Sequence, residues 1–263
     1  MSALPRYERD DDLDEDLQGL GGRMGFLDHL EELRRRLIVS LIAVFVAFLA
    51  CMVVSERLVQ FVMRPLHETL PAGGHLIYIE AGEMFMVTLQ IAFIAGILLA
   101  APVLMWQAWL FVAPGLYVHE KRLAIPFILS ATICFVGGAA FSHYVSFPTA
   151  TRFFASFSSD LVEFQPRVSS ALSLYLRMLL ACALAFQLPT VTMFLARMRI
   201  VSARWMLRHL KYAVLGVFVI AAVITPDGSP VSQVTLALPM LGLYFVSIGV
   251  AWLFAPRTAP GRV

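Results

Sequence analysis

Six stretches of this chain are apolar over lengths that suit a lipid bilayer, and no other feature limits its fold as strongly. A helix rising 1.5 Å per residue needs about 20 apolar residues to cross a hydrocarbon core of about 30 Å. Such stretches lie near residues 36–54, 86–109, 123–145 and 171–196, with two more near 211–224 and 232–254. Hydrocarbon offers the backbone no hydrogen bonds, so each stretch is expected to be a helix. Composition agrees: 59% of the 263 residues are hydrophobic and 14% charged, where soluble domains are about half apolar and about a quarter charged. The expected fold is an all-α membrane protein with six transmembrane helices.

The last two helices are expected to be short. The fifth stretch holds roughly 14 apolar residues, about 21 Å of helix, before Pro226, Asp227, Gly228 and Pro230 force a turn. The sixth begins with Ser232 and Gln233 and contains Pro239, which shortens its effective apolar length. A short helix thins the bilayer or rests against protein.

Basic residues set the orientation. Fifteen of the 20 Lys and Arg residues fall on the side that holds both termini, and five on the other. Both ends are therefore expected in the cytoplasm. Residues 1–23 form an acidic tail, with Asp10, Asp11, Asp12, Asp14, Glu15 and Asp16 close together, expected to be disordered and cytoplasmic. They lack the basic start and apolar stretch of a cleavable secretory signal. Residues 24–254 form the membrane domain, and 255–263 a short cytoplasmic tail. The outside segments near 55–85 and 146–170 carry Pro, Gly, Ser and charge, and are expected to be structured caps.

Three segments carry distinctive chemistry. In Gly25-Phe-Leu-Asp-His-Leu-Glu-Glu-Leu-Arg-Arg-Arg-Leu37, Phe26, Leu27, Leu30, Leu33 and Leu37 recur at helical spacing. That pattern is an amphipathic helix feeding the first span, with Glu31 and Glu32 four residues before Arg35 and Arg36. By itself it reads as an interfacial anchor. The segment Trp109-Leu-Phe-Val-Ala-Pro-Gly-Leu-Tyr-Val-His-Glu-Lys-Arg122 ends one helix and begins the return, with Glu120 in an ordinary loop position. Ile224-Thr-Pro-Asp-Gly-Ser-Pro-Val-Ser-Gln233 terminates a helix, turns and starts another.

Together and in this order, the three segments resemble the TatC family, the polytopic subunit of the twin-arginine protein translocase. The first resembles the family's HLxELRxRL helix, the second its F-x-A-P-x-L-Y-x-H-E-(K/R)-R loop, and the third its T-P-D, S-Q and L-x-x-P elements. The likeness covers residues 24–254. It implies a core subunit that recognises the signal peptides of folded cargo and works with single-span TatA/TatB-type partners. Further implications are the proton-motive force as energy source, the bacterial inner membrane as location, and assembly of several copies.

The resemblance places Glu32, Arg34 and Glu120 at the signal-peptide site, with Phe111, Pro114, Leu116, Tyr117 and His119 shaping the surface. Arginine forks engage carboxylates bidentately, whereas lysine offers a point charge, so two carboxylates suit a paired arginine. The resemblance also assigns partner docking to Thr225, Asp227, Gln233 and Gln187, and a structural role to Pro65. Family members often carry glutamate where this chain has Gln187 and Phe245.

Other chemistries find little support. The chain has no G-x-x-x-x-G-K-(S/T) phosphate loop, no G-x-S-x-G and no H-E-x-x-H, and its histidines lack metal-ligand spacing. No enzymatic activity, cofactor, metal or nucleic-acid partner is expected. The competing reading is a small-solute secondary transporter, which calls for polar residues at the midplane. Those are sparse here, chiefly Gln90 and Gln187. Gln90 and Gln107 read as helix-packing residues, and Cys51, Cys134 and Cys182 as small core residues.

Overall fold

The computed structural model describes residues 26–68, 76–112, 124–158, 165–198, 200–224 and 230–254. Its helices are α1 (Phe26–Val53), α2 (Ser55–His67), α3 (Glu83–Val112), α4 (Ala124–Phe141), α5 (Phe147–Ala155), α6 (Val168–Ala185), α7 (Gln187–Arg197), α8 (Ala203–Arg208), α9 (Leu210–Ile224) and α10 (Pro230–Phe254). A π-helical segment, Ser142–Ser146, joins α4 to α5. Among the described residues, five stretches are long and apolar enough to cross a membrane: His29–Val53, Glu83–Phe111, Ile125–Ala155, Val168–Arg197 and Gln233–Phe254. Leu210–Val223 is a shorter apolar helix. With it the described residues hold the six apolar helices expected.

Two boundaries differ from expectation. The third span does not stop near residue 145. Ser142, His143 and Ser146 look like a polar exit, but all three are buried, and the helix passes through the π-turn to Ala155. The sixth helix is not short. Its polar start occupies the first turn, where helix ends reach the interface, and Pro239 sits inside a continuous 25-residue helix. Only α9, at 15 residues, has the expected short length.

The bundle is turned outward in the manner lipid requires. Leu41, Ile42, Phe45, Phe85, Leu129, Ile133, Leu215 and Val223 are all exposed. The buried core joins α3, α5, α6, α9 and α10 through Val87, Ile91, Phe147, Leu172, Met178, Ala221 and Leu236. Small residues bring the helices close. An added Cβ at Gly96 of α3 would lie 2.8 Å from the backbone of Phe48 in α1, so only glycine permits that approach. Gly138 does the same for α4 against α6.

We call the end of the bundle where α1 begins the near end, and the opposite one the far end. At the far end, Ile77 and Arg167 form an isolated parallel bridge, with the Val168 N–H donating to the Ile77 carbonyl at 2.9 Å. Glu83, at the start of α3, is buried. It accepts from Arg167 Nε at 3.1 and 3.2 Å, from the Ile79 N–H at 3.0 Å and from the Ser169 N–H at 3.0 Å. Arg167 Nη2 also donates to Glu80 at 2.7 Å. The hydrogen bond to Glu83, then that to Glu80, raise the Arg167 pKa above its ordinary value. This clasp ties the starts of α3 and α6 together across 84 residues of sequence.

Candidate signal-recognition site

The first turns of α1 are built the opposite way from a simple interfacial anchor. Leu30, Leu33 and Leu37 are exposed, while Glu32 and Arg36 between them turn inward. The Glu32 side chain is only 15% accessible and Arg36 26%, while Glu31, Arg34 and Arg35 are exposed. The amphipathic pattern is present, but the side chains it turns inward include a charged pair, Glu32 and Arg36.

α3 provides the wall that receives this face. The His29 ring stacks on Phe111 with centroids 4.4 Å apart and planes at 19°. Phe111 thus fixes the near end of α1 against the last turn of α3. Glu32 Oε1 accepts from Arg36 Nη2 at 3.0 Å. Glu32 Oε2 and Arg36 Nε are buried without a hydrogen-bond partner among the described residues, as is Gln107 Oε1 on α3. Buried polar atoms are rarely left unmatched, so this end of the α1–α3 seam is electrostatically unfinished. Gln107, read from sequence as a packing residue, has its carbonyl oxygen among these unmatched atoms. The sequence carries no sign of that, since the spacing of a glutamine on α3 does not say what its carbonyl meets.

Of the expected signal-site residues, the structure brings Glu32 and Phe111 to one seam, and leaves Arg34 on the exposed face. Pro114, Leu116, Tyr117, His119 and Glu120 lie outside the described residues. Beside the ends of α3 and α4 is a cleft of about 290 Å³, walled by Trp109, Phe127, Met193, Phe194 and Phe254, with Arg197 at its rim.

Of the expected docking residues, Thr225 and Asp227 also lie outside the described residues. Gln233 is half-buried in the first turn of α10. Gln187 is engaged within the chain: its Nε2 donates to the Ala131 carbonyl at 2.9 Å, tying the break between α6 and α7 to α4. Pro65 is buried within α2. It borders a far-end cleft of about 310 Å³ with Arg64, Glu68, His143 and Arg152. No group of three or more His, Cys, Asp or Glu that suits a metal ion occurs among the described residues.

Comparison with known proteins gives this geometry a family. Residues 28–239 match the family model described as Sec-independent protein translocase protein (TatC). The Sec-independent protein translocase protein TatC of Koribacter versatilis is 41% identical over 244 residues, which span 91% of this chain and 89% of that protein. The TatC of a Helicobacter pylori strain is 39% identical over 228 residues, 87% of this chain and 89% of its own. The chloroplastic TATC of Arabidopsis thaliana is 35% identical over 247 residues, 94% of this chain and 69% of its own length. Two crystal structures of the twin arginine translocase receptor TatC share the fold. One has a TM-score of 0.71 and 31% identity over 85% of this chain and 97% of that one. The other has 0.76 and 29% over 85% and 99%. On these findings the chain is a multi-pass membrane protein and belongs to the TatC family of Sec-independent protein translocase subunits.

Proposed function

We propose that this chain is the subunit of the twin-arginine translocase that recognises the signal peptides of folded cargo, on the cytoplasmic face of a bacterial inner membrane. The near end is the cytoplasmic end, in accord with the excess of Lys and Arg on the side of both termini. Glu32 and Glu120 hold the paired arginines, with Phe111 and the 113–123 segment shaping the surface. The observation that carries this reading is the inward-facing, incompletely matched carboxylate of Glu32 in the α1–α3 seam. A carboxylate in that state gains a charge-assisted bond when a guanidinium arrives. The aromatic cleft walled by Trp109, Phe127, Phe194 and Phe254 suits the apolar stretch that follows the arginines in a signal.

The subunit is a receptor and performs no catalysis. Each helix is about 10–12 Å across, so six cannot enclose a folded protein, and passage requires recruited subunits driven by the proton-motive force. Single-span partners gather along the short α9 and the start of α10, at Thr225, Asp227 and Gln233, where a thinner bilayer lowers the barrier. Several copies of this chain assemble in the receptor complex.

The test is export in cells that lack their own receptor subunit and carry this chain instead. A cargo with an Arg-Arg signal is exported by the unaltered chain, and export falls at least tenfold with Glu32→Gln or Glu120→Gln at equal membrane abundance. Export undiminished by both substitutions refutes the assignment.

A further inference from the structure

We propose that Arg36 is a resident guanidinium which the signal's arginine must displace from Glu32, and that Gln107 is a second acceptor for the newcomer. Arg36 and Gln107 then determine specificity at the candidate site. The inference rests on the recognition role proposed above for Glu32.

The register of the two helices brings these groups to one level. The His29 ring stacks on Phe111, and farther along the seam Phe48 meets Gly96, so α1 and α3 run antiparallel. Glu32 lies three residues beyond His29 on the same face of α1, and Gln107 four residues before Phe111 on the same face of α3. Both therefore sit about one turn, or about 5.4 Å, deeper into the seam than the stacked rings. At this level the structure holds two unmatched acceptors, Glu32 Oε2 and Gln107 Oε1, and one unmatched donor, Arg36 Nε.

Arg36 serves this cluster poorly. It offers Glu32 a single bond, from Nη2 to Oε1 at 3.0 Å. A pair at this spacing that only supported its helix would stand in water, where solvent completes both ends. Here the pair is mostly buried and incomplete. An untethered guanidinium presents five N–H donors in a planar fork, enough to bridge Glu32 and reach Gln107 together. A lysine ammonium lacks that fork. The resident arginine thus sets a threshold: a ligand that makes two or more directed bonds replaces it, and one that makes a single bond does not. Once released, Arg36 has a long stem with which to carry its charge to the interface, beside the already exposed Arg34 and Arg35.

The experiment is equilibrium binding of fluorescent synthetic signal peptides, identical except for Arg-Arg or Lys-Lys, to the full chain in lipid nanodiscs. Removing the competitor with Arg36→Gln is expected to tighten Lys-Lys binding by about two- to fivefold and Arg-Arg binding by less, so that discrimination narrows. Arg36→Lys, which keeps the charge, is expected to fall between the two. Gln107→Leu is expected to weaken Arg-Arg binding about tenfold with little effect on Lys-Lys. An Arg-Arg to Lys-Lys ratio unchanged by both Arg36 variants overturns the proposal, as does Arg-Arg binding lost with Arg36→Gln as fully as with Glu32→Gln. In both cases Glu32 dependence would leave the recognition role standing. Arg-Arg binding that survives Glu32→Gln would instead remove the recognition role, and the exchange with it.

Discussion

Gly137 and Gly138 are neighbours in α4, yet alanine at the two positions should act in opposite directions. A Cβ on Gly138 would lie 2.6 Å from the Cys182 carbonyl oxygen, 2.8 Å from Ala183 Cα and 2.9 Å from Phe186 Cβ. The nearest of these are backbone atoms, so no side chain can swing aside. Restoring ordinary contact requires α4 and α6 to part by about 0.8 Å at the tightest point. Overpacking of this kind costs about 1–3 kcal/mol. A Cβ on Gly137 meets nothing within 4 Å. Both substitutions gain up to about 1 kcal/mol from helix propensity, which cancels in the comparison. Gly138→Ala should therefore be about 1–3 kcal/mol less stable than Gly137→Ala. Thermal unfolding of the two variants in one detergent, followed by tryptophan fluorescence, reads the difference as a melting temperature several degrees lower for Gly138→Ala. Separation of α4 from α6 should also disturb the Gln187 bond to Ala131, two turns away. Equal stability for the two variants would refute the close approach of these helices.

Three further outcomes follow from the far-end clasp, the mid-bundle amide and the short helix. Arg167→Gln should speed amide exchange at residues 76–83 and 165–170, because Glu83 loses its guanidinium partner. The exchanged pair Glu83→Arg with Arg167→Glu should not restore protection, since Glu83 also accepts from the backbone of Ile79 and Ser169. Gln187→Leu, which keeps the volume and removes the donor to Ala131, should lower stability by about 0.6–1 kcal/mol in detergent unfolding. Three leucines inserted into α9 should leave signal-peptide binding intact and reduce crosslinking to single-span partners, as measured in membrane vesicles.

The spans were legible because hydrocarbon imposes one requirement on every residue of a helix that crosses it. The fifth, read as 211–224, is Leu210–Ile224, and the fourth, read as 171–196, is Val168–Arg197 with a break at Phe186. The third ran past its apparent polar exit because His143 finds a partner, the Tyr175 hydroxyl at 3.0 Å, that periodicity cannot reveal. Glu32 was legible as a motif residue, but its direction was not. The leucines of α1 suggest an apolar buried face, yet Leu30, Leu33 and Leu37 are exposed while Glu32 and Arg36 turn inward. Glu83 with Arg167 escaped notice because the partners are far apart in sequence. Two opposite charges at the starts of spans that begin on the same side were the available signal. Gln107 had none, since its significance lies in what its carbonyl lacks.

The most direct test is site-specific photocrosslinking in membrane vesicles, with a photoreactive residue at the exposed position of Leu33, next to Glu32. The account predicts a crosslink to a signal peptide bearing Arg-Arg, a much weaker one to the Lys-Lys peptide, and loss of the Arg-Arg crosslink with Glu32→Gln or Glu120→Gln. A crosslink of equal strength to both peptides, indifferent to both glutamate substitutions, would contradict it.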